Sequence, residues 1–250
     1  MAGHSHWAGI KHKKALIDNK RGKLWSKLAK AIMVAARMGG PDPDANIRLR
    51  FAIDSAKAVS LPKENIQRAI KAGSGDSKAD NLEETIYEGY GAAGVAVMCE
   101  IVTDNRNRTA GEIRKIFELG DGNLGSTGCV AWMFERKGLI LVAANKCDED
   151  QLMEVALEHG ADDVQRTGDN FEITCDPSNF QQLAIAIEAA GITPDAKEIS
   201  RIPTNTVDLD AETARKVLKM MEALDDHEDV QSVAANFNIP DEVMAGMDAG

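Results

Sequence analysis

Lys11, Lys13, Lys14, Lys20, Arg21 and Lys23 fall within 13 residues near the start of the chain. Cations at this density on flexible stems suit phosphate binding, because each contact releases a condensed counterion. Trp7 and Trp25 lie in and beside the run and offer flat rings that stack on unpaired bases. A charged run is also what a merely solvated arm looks like. Here it continues into an ordered ridge, which favours a polyanion-binding surface.

The ridge comes from helical spacing. Lys20, Lys23, Lys27, Lys30 and Arg37 recur at steps of three, four, three and seven, one stripe of a helix over Lys20–Met38. Leu24, Leu28, Ala31 and Ala35 make an apolar stripe beside it. Gly39 and Gly40, followed by Pro41 and Pro43, end that helix. Asp44 is the expected N-cap of a second helix, Ala45–Val59, which presents Arg48, Arg50 and Lys57 outward. Ser60 and Pro62 open a third, Lys63–Ala72. These elements predict a basic helical domain over residues 1–78, closed by the linker GSGDSKADN at Gly73–Asn81.

The charge partition agrees. The 250 residues hold 29 Lys+Arg against 40 Asp+Glu, a net of -11. Residues 1–78 carry 16 basic and 6 acidic side chains, and residues 79–250 carry 13 and 34, so the net charges are +10 and -21. The total argues against nucleic acid, whereas the partition points to a local basic module on an acidic body. The 44% hydrophobic content excludes global disorder. Without an apolar leader or a run of 18 apolar residues, the chain is expected to be cytoplasmic with no membrane partner.

Other chemistry-bearing residues do not assemble into an active site. Cys99, Cys129, Cys147 and Cys175 are separated by 30, 18 and 28 residues, which suits neither zinc nor a disulfide framework. His4, His6 and His12 lack a second ligand pair for zinc. Removal of Met1 would leave Ala2-Gly3-His4, a square-planar chelator for Cu(II) or Ni(II), read as adventitious. DGNLGSTG at Asp121–Gly128 lies between a helix and a strand, the reverse of a phosphate loop, and reads as a tight turn. His159 and His227 sit at polar helix ends, His227 in the acidic turn DDHED, with no nucleophile arrangement. No enzyme, cofactor, metal or small-molecule substrate is expected. In Asp104–Thr109, Arg106 and Arg108 are either a second polyanion contact or partners of local carboxylates.

The remaining chain alternates β and helical patterns. A hairpin at Thr85–Tyr90 and Val95–Val102 precedes a helix at Thr109–Leu119, capped by Thr109, and a strand at Val130–Phe134. Strand Gly138–Ala143, helix Asp148–His159, strands Asp163–Thr167 and Phe171–Cys175, helix Pro177–Ala190 and strand Lys197–Ile202 follow in βαββαβ order. Strand Thr206–Leu209, helix Ala211–Leu224 and strand Asp229–Ala235 complete a second such set with residues 95–134. The fold class is therefore multidomain α+β: a three-helix domain, then two ferredoxin-like domains, one inserted in the other. The expected boundaries are 79–134 plus 204–240 for the discontinuous domain, 135–203 for the insert, and 241–250 for a frayed acidic tail.

Six motifs in order resemble the YebC/PmpR family: MAGHSHW, KRGK, ARMGGPDPDANIRLRFAI, YEGYGAAGVAV, TDNRNRT and DGNLGSTGCVAWMF. The resemblance spans nearly the whole chain and implies an α-helical first domain with two α+β domains. It also implies a probable DNA-binding transcriptional regulator, some relatives being ribosome-associated translation factors or mitochondrial translation activators. Ala92 or Ala93 stands where the family has a proline, and Asp121-Gly122 where it has a glycine pair. The nucleic-acid partner is thus DNA or ribosomal RNA, the latter with the ribosome as partner. The mostly-Lys ridge suits phosphates more than base edges.

Overall fold

The computed structural model describes residues 21–75, 81–240 and 242–244. Helices α1 (Arg21–Gly39), α2 (Ile47–Ala58) and α3 (Lys63–Gly73) form the first unit, with α2 and α3 both packed along α1. Their core includes Ile32, Ala35, Ala36, Leu49, Ile53 and Ile66. The buried stripe of α1 is therefore rotated from the expected one, in which only Ala35 is fully buried. Asn46, not Asp44, caps α2: its side-chain oxygen accepts from Leu49 N–H at 3.1 Å, and its amide donates to the Ala35 and Gly40 carbonyls, each at 2.8 Å. α3 approaches α1 so closely that a Cβ on Gly73 would lie 2.2 Å from the Met33 carbonyl oxygen.

Strands β1 (Glu83–Tyr90) and β2 (Ala96–Thr103) form the hairpin, paired antiparallel from Glu83↔Thr103 to Tyr90↔Ala96. α4 (Arg106–Leu119) starts three residues before the expected helix because Asn105, not Thr109, supplies the cap oxygen. β3 (Asn123–Leu124) pairs with β1. Then come β4 (Phe134–Ala143), α5 (Glu149–Glu158), β5 (Ala161–Thr167), β6 (Asn170–Cys175), α6 (Phe180–Ala189) and β7 (Ala196–Pro203). Their antiparallel order β5-β6-β4-β7 is that of a split βαβ sheet, as the βαββαβ pattern predicts.

β8 (Val207–Asp208), α7 (Ala211–Asp225), β9 (Val230–Ala235) and β10 (Phe237–Asn238) return the chain to the first sheet, ordered β3-β1-β2-β9. β9 pairs with β2, so residues 230–235 complete a sheet begun before β4. α4 and α7 cover one face of that sheet, burying Ile113, Phe117, Val217 and Leu224 against Val97 and Val233.

Two details of the second βαββαβ set differ from expectation. Val130–Phe134 is not a strand of this sheet: Ala131–Met133 is a 3-10 turn, and Phe134 opens β4. Its amides serve the buried Glu88 carboxylate, which accepts from Gly128, Val130 and Ala131 N–H at 2.7, 2.9 and 2.8 Å. β8 likewise pairs only with β10, in a separate parallel ribbon. Residues 242–244 of the tail are helical, with Val243 and Met244 packed on the core.

Candidate nucleic-acid interface

The expected ridge on α1 divides. Lys27, Lys30 and Val34 stand at i, i+3 and i+7, a single face. That face meets the acidic body. Lys27 is buried, 8% exposed, and its ammonium donates to the Asp225 carbonyl at the end of α7. Lys30 donates to Asp229 Oδ1 at 2.6 Å and to the Glu228 carbonyl at 3.3 Å. Val34 packs with Leu82 and Val102. The ridge as a continuous free cationic face is thus corrected, because α1 buries a second side that a one-stripe reading omits. Lys23 and Arg37 remain exposed.

Asp229 is the focus of this contact. Its carboxylate is fully buried and also accepts from Arg108 Nη2 at 2.7 Å, Thr109 Oγ1 at 2.8 Å and Thr103 Oγ1 at 3.1 Å. Burial alone would raise its pKa, but hydrogen bonds from Lys30, Arg108 and Thr109 outweigh that and hold it well below the usual carboxylate range. His227, expected in a solvated turn, is mostly enclosed: Nε2 lies 3.0 Å from Glu112 Oε2, and Nδ1 accepts from Asp229 N–H at 3.2 Å.

The other candidate cations also have partners. Arg48 forms a two-pronged pair with Glu84, and Arg50 reaches the Pro43 carbonyl at 3.1 Å and Asp44 at 3.5 Å. Arg106 lies 3.7 Å from Glu83. Arg108 adds Asp104 at 3.1 Å and Glu112 at 3.9 Å to its Asp229 bond. Of the two readings of Arg106 and Arg108, the geometry is that of pairing with local carboxylates. Lys11, Lys13, Lys14, Lys20, the Arg21 side chain, Trp7, the amino-terminal histidines and the Ala2-Gly3-His4 chelator lie outside the described residues.

Trp25 is spent on packing: its indole N–H donates to the Val59 carbonyl at 3.3 Å, and the ring lines the helical core. Sequence reasoning passed over Trp132, which is 72% exposed with its indole N–H bonded to the Cys129 carbonyl at 3.2 Å. It also passed over Glu88 and Asp229, each an ordinary acidic residue in an acidic stretch. Burial pushes the Cys175 thiol up to about 11 and Cys99 higher still, and Cys129 and Cys147 are also raised by burial, so none is held as a thiolate. No group of three or more His, Cys, Asp or Glu that could hold a metal ion occurs among the described residues.

A basic helical unit clamped onto two antiparallel α+β units defines the class of protein. Family profiles described as the TACO1/YebC N-terminal domain and the TACO1/YebC second and third domain match residues 5–76 and 82–237. The chain belongs to the TACO1/YebC family. It is 54% identical over 243 residues to a "Probable transcriptional regulatory protein" of Rhodopirellula baltica, covering 97% of this chain and 98% of that one. A protein of the same description from Natranaerobius thermophilus is 53% identical over 247 residues, covering 98% and 99%. A crystal structure of a conserved hypothetical protein from Aquifex aeolicus is similar at TM-score 0.87 and 49% identity, covering 96% of this chain and 99% of that one. Among the described residues, no helix is long and apolar enough to cross a membrane.

Proposed function

We propose that this chain is a cytoplasmic, non-enzymatic regulator of gene expression that binds nucleic acid through its basic N-terminal segment. The observation that carries the reading is the charge partition: +10 over residues 1–78 and -21 over the remainder. The helical unit occupies the basic part and both sheets occupy the acidic part. An acidic body repels polyanions from every side but the basic one, so binding is local and oriented. Relatives described as probable transcriptional regulatory proteins support the regulatory role. The non-enzymatic reading draws on the buried polar groups: Glu88 and Asp229 hold backbone and neighbouring domains in place.

A second reading, association with ribosomal RNA and regulation of translation, is favoured by the arrangement of α2 and α3. Both lie along α1, and the unit's exposed cations include Lys23, Lys57, Lys63 and Lys71, point charges that suit phosphates rather than base edges. Titration of the full chain against a mixed-sequence DNA duplex and an RNA hairpin over a salt series tests both. Binding should weaken with a log–log slope of about 0.9 per phosphate contacted on the duplex. Absence of salt-dependent binding to either polymer overturns the proposal, and competition between promoter DNA and ribosomal RNA ranks the two readings.

A further inference from the structure

We infer that the phosphate-contacting face is the end of the helical unit that carries Lys23, Lys57 and Lys63, rather than the ridge running down α1. This rests on the nucleic-acid reading above and locates its contact surface. The Trp25–Val59 hydrogen bond, 3.3 Å long, ties the start of α1 to the end of α2. Lys23 precedes Trp25 by two residues, Lys57 precedes Val59 by two, and Lys63 opens α3 four residues beyond it. At a rise of about 1.5 Å per helical residue, Lys23 and Lys57 lie within about 3 Å, along their helix axes, of the two bonded residues. Three lysines from three helices are thereby gathered at one end.

These lysines differ in state from those of the ridge. Lys23 and Lys63 are exposed and make no ion pair among the described residues. Lys57 is exposed and, among the described residues, pairs with Asp54 alone, at 3.2 Å with both side chains in solvent, a pair worth little against a phosphate. Lys27 and Lys30, by contrast, are bonded to the Asp225 carbonyl and the Asp229 carboxylate. Freeing Lys30 for a phosphate would take from the buried Asp229 carboxylate one of its two cationic partners, a cost that the lysines at the bundle end do not carry. Glu64 is the remaining acidic side chain of the first turn of α3. The ligand chemistry is the phosphodiester backbone, read by point charges that recognise phosphate spacing rather than base sequence.

The test uses the full chain and two multiple variants. Lys23→Gln/Lys57→Gln/Lys63→Gln changes only exposed side chains and should leave the thermal midpoint nearly unchanged. It should weaken binding to both the mixed-sequence DNA duplex and the RNA hairpin by roughly tenfold or more, and flatten the duplex salt slope by about 2.7 for three lost contacts. Loss confined to one polymer supports the face and assigns it to that polymer. Lys27→Gln/Lys30→Gln should lower the thermal midpoint yet bind within about twofold of the parent at a temperature where both are folded. The reverse pattern, with the ridge variant losing affinity and the end variant keeping it, overturns the inference while leaving the nucleic-acid reading intact. If the parent chain itself binds neither polymer, that reading fails first.

Discussion

Lys30 on α1 and Asp229 before β9 are 199 positions apart and meet at 2.6 Å, the carboxylate wholly buried and the ammonium largely so. The pair joins the basic unit to the acidic body at a point where both opposite charges are largely removed from water. Arg108 closes the other side of the same carboxylate.

Asp229→Asn keeps the shape and removes the charge. Two cations then face a neutral amide, and the expected loss of stability is about 3 kcal/mol, read from urea unfolding monitored by far-UV circular dichroism. A loss below about 1 kcal/mol would mean that the cluster is held by packing alone.

The same carboxylate fixes a pH dependence. Its native pKa is depressed, so its contribution is complete above the unfolded value of about 4 and fades as the pH falls below that toward the native value. The stability difference between the parent and Asp229→Asn should therefore be constant from pH 7 to about pH 5 and shrink below about pH 4. A difference that grows on acidification contradicts the assigned sign.

Glu88→Ala leaves three backbone N–H groups, those of Gly128, Val130 and Ala131, without their acceptor. The expected cost is about 2–4 kcal/mol, with amide exchange at these three positions rising well above that of β1 and β2. Unchanged protection at residues 128–131 would show that the loop is held by its apolar contacts.

Asn46→Asp separates two roles of one side chain. Aspartate is ordinarily as good an N-cap as asparagine, yet here the amide donates to two carbonyls that a carboxylate would repel. Differential scanning calorimetry should find Asn46→Asp less stable than Asn46→Ser, which retains the cap oxygen without placing a charge against those carbonyls.

Thiol labelling at pH 8 in native conditions should modify Cys129 and Cys147 well before Cys99 and Cys175, which are buried and whose thiols burial pushes upward. Rapid labelling of all four in the folded chain would contradict the packing of β2 and β6.

Local patterns carried most of the architecture. The alternation of β4 to β7 with α5 and α6 is written in contiguous residues, so their order is legible from periodicity. The position of α1 was harder to read. Leu24, Leu28, Ala31 and Ala35 make a plausible stripe, but Val34 belongs to a second buried face whose partners, Leu82 and Val102, lie far along the chain. Lys27 and Lys30 share that face, and nothing within α1 distinguishes a lysine destined for Asp229 from one left in water. The segment Val130–Phe134 looked like a strand because β-branched and aromatic composition does not specify whether its amides meet a ladder or a carboxylate such as Glu88.

The pairing of β2 with β9 also sets a schedule. The inserted sheet is complete once β7 has been made, whereas the first sheet lacks an edge, and Lys30 its carboxylate, until residues 229–235 have been synthesised. At about 5–20 residues per second, the stretch from Lys30 to Asp229 takes roughly 10–40 s to translate. Throughout that interval Lys27 and Lys30 lack the partners they dock on, and the nascent chain presents two α1 cations that the finished protein draws against its acidic body.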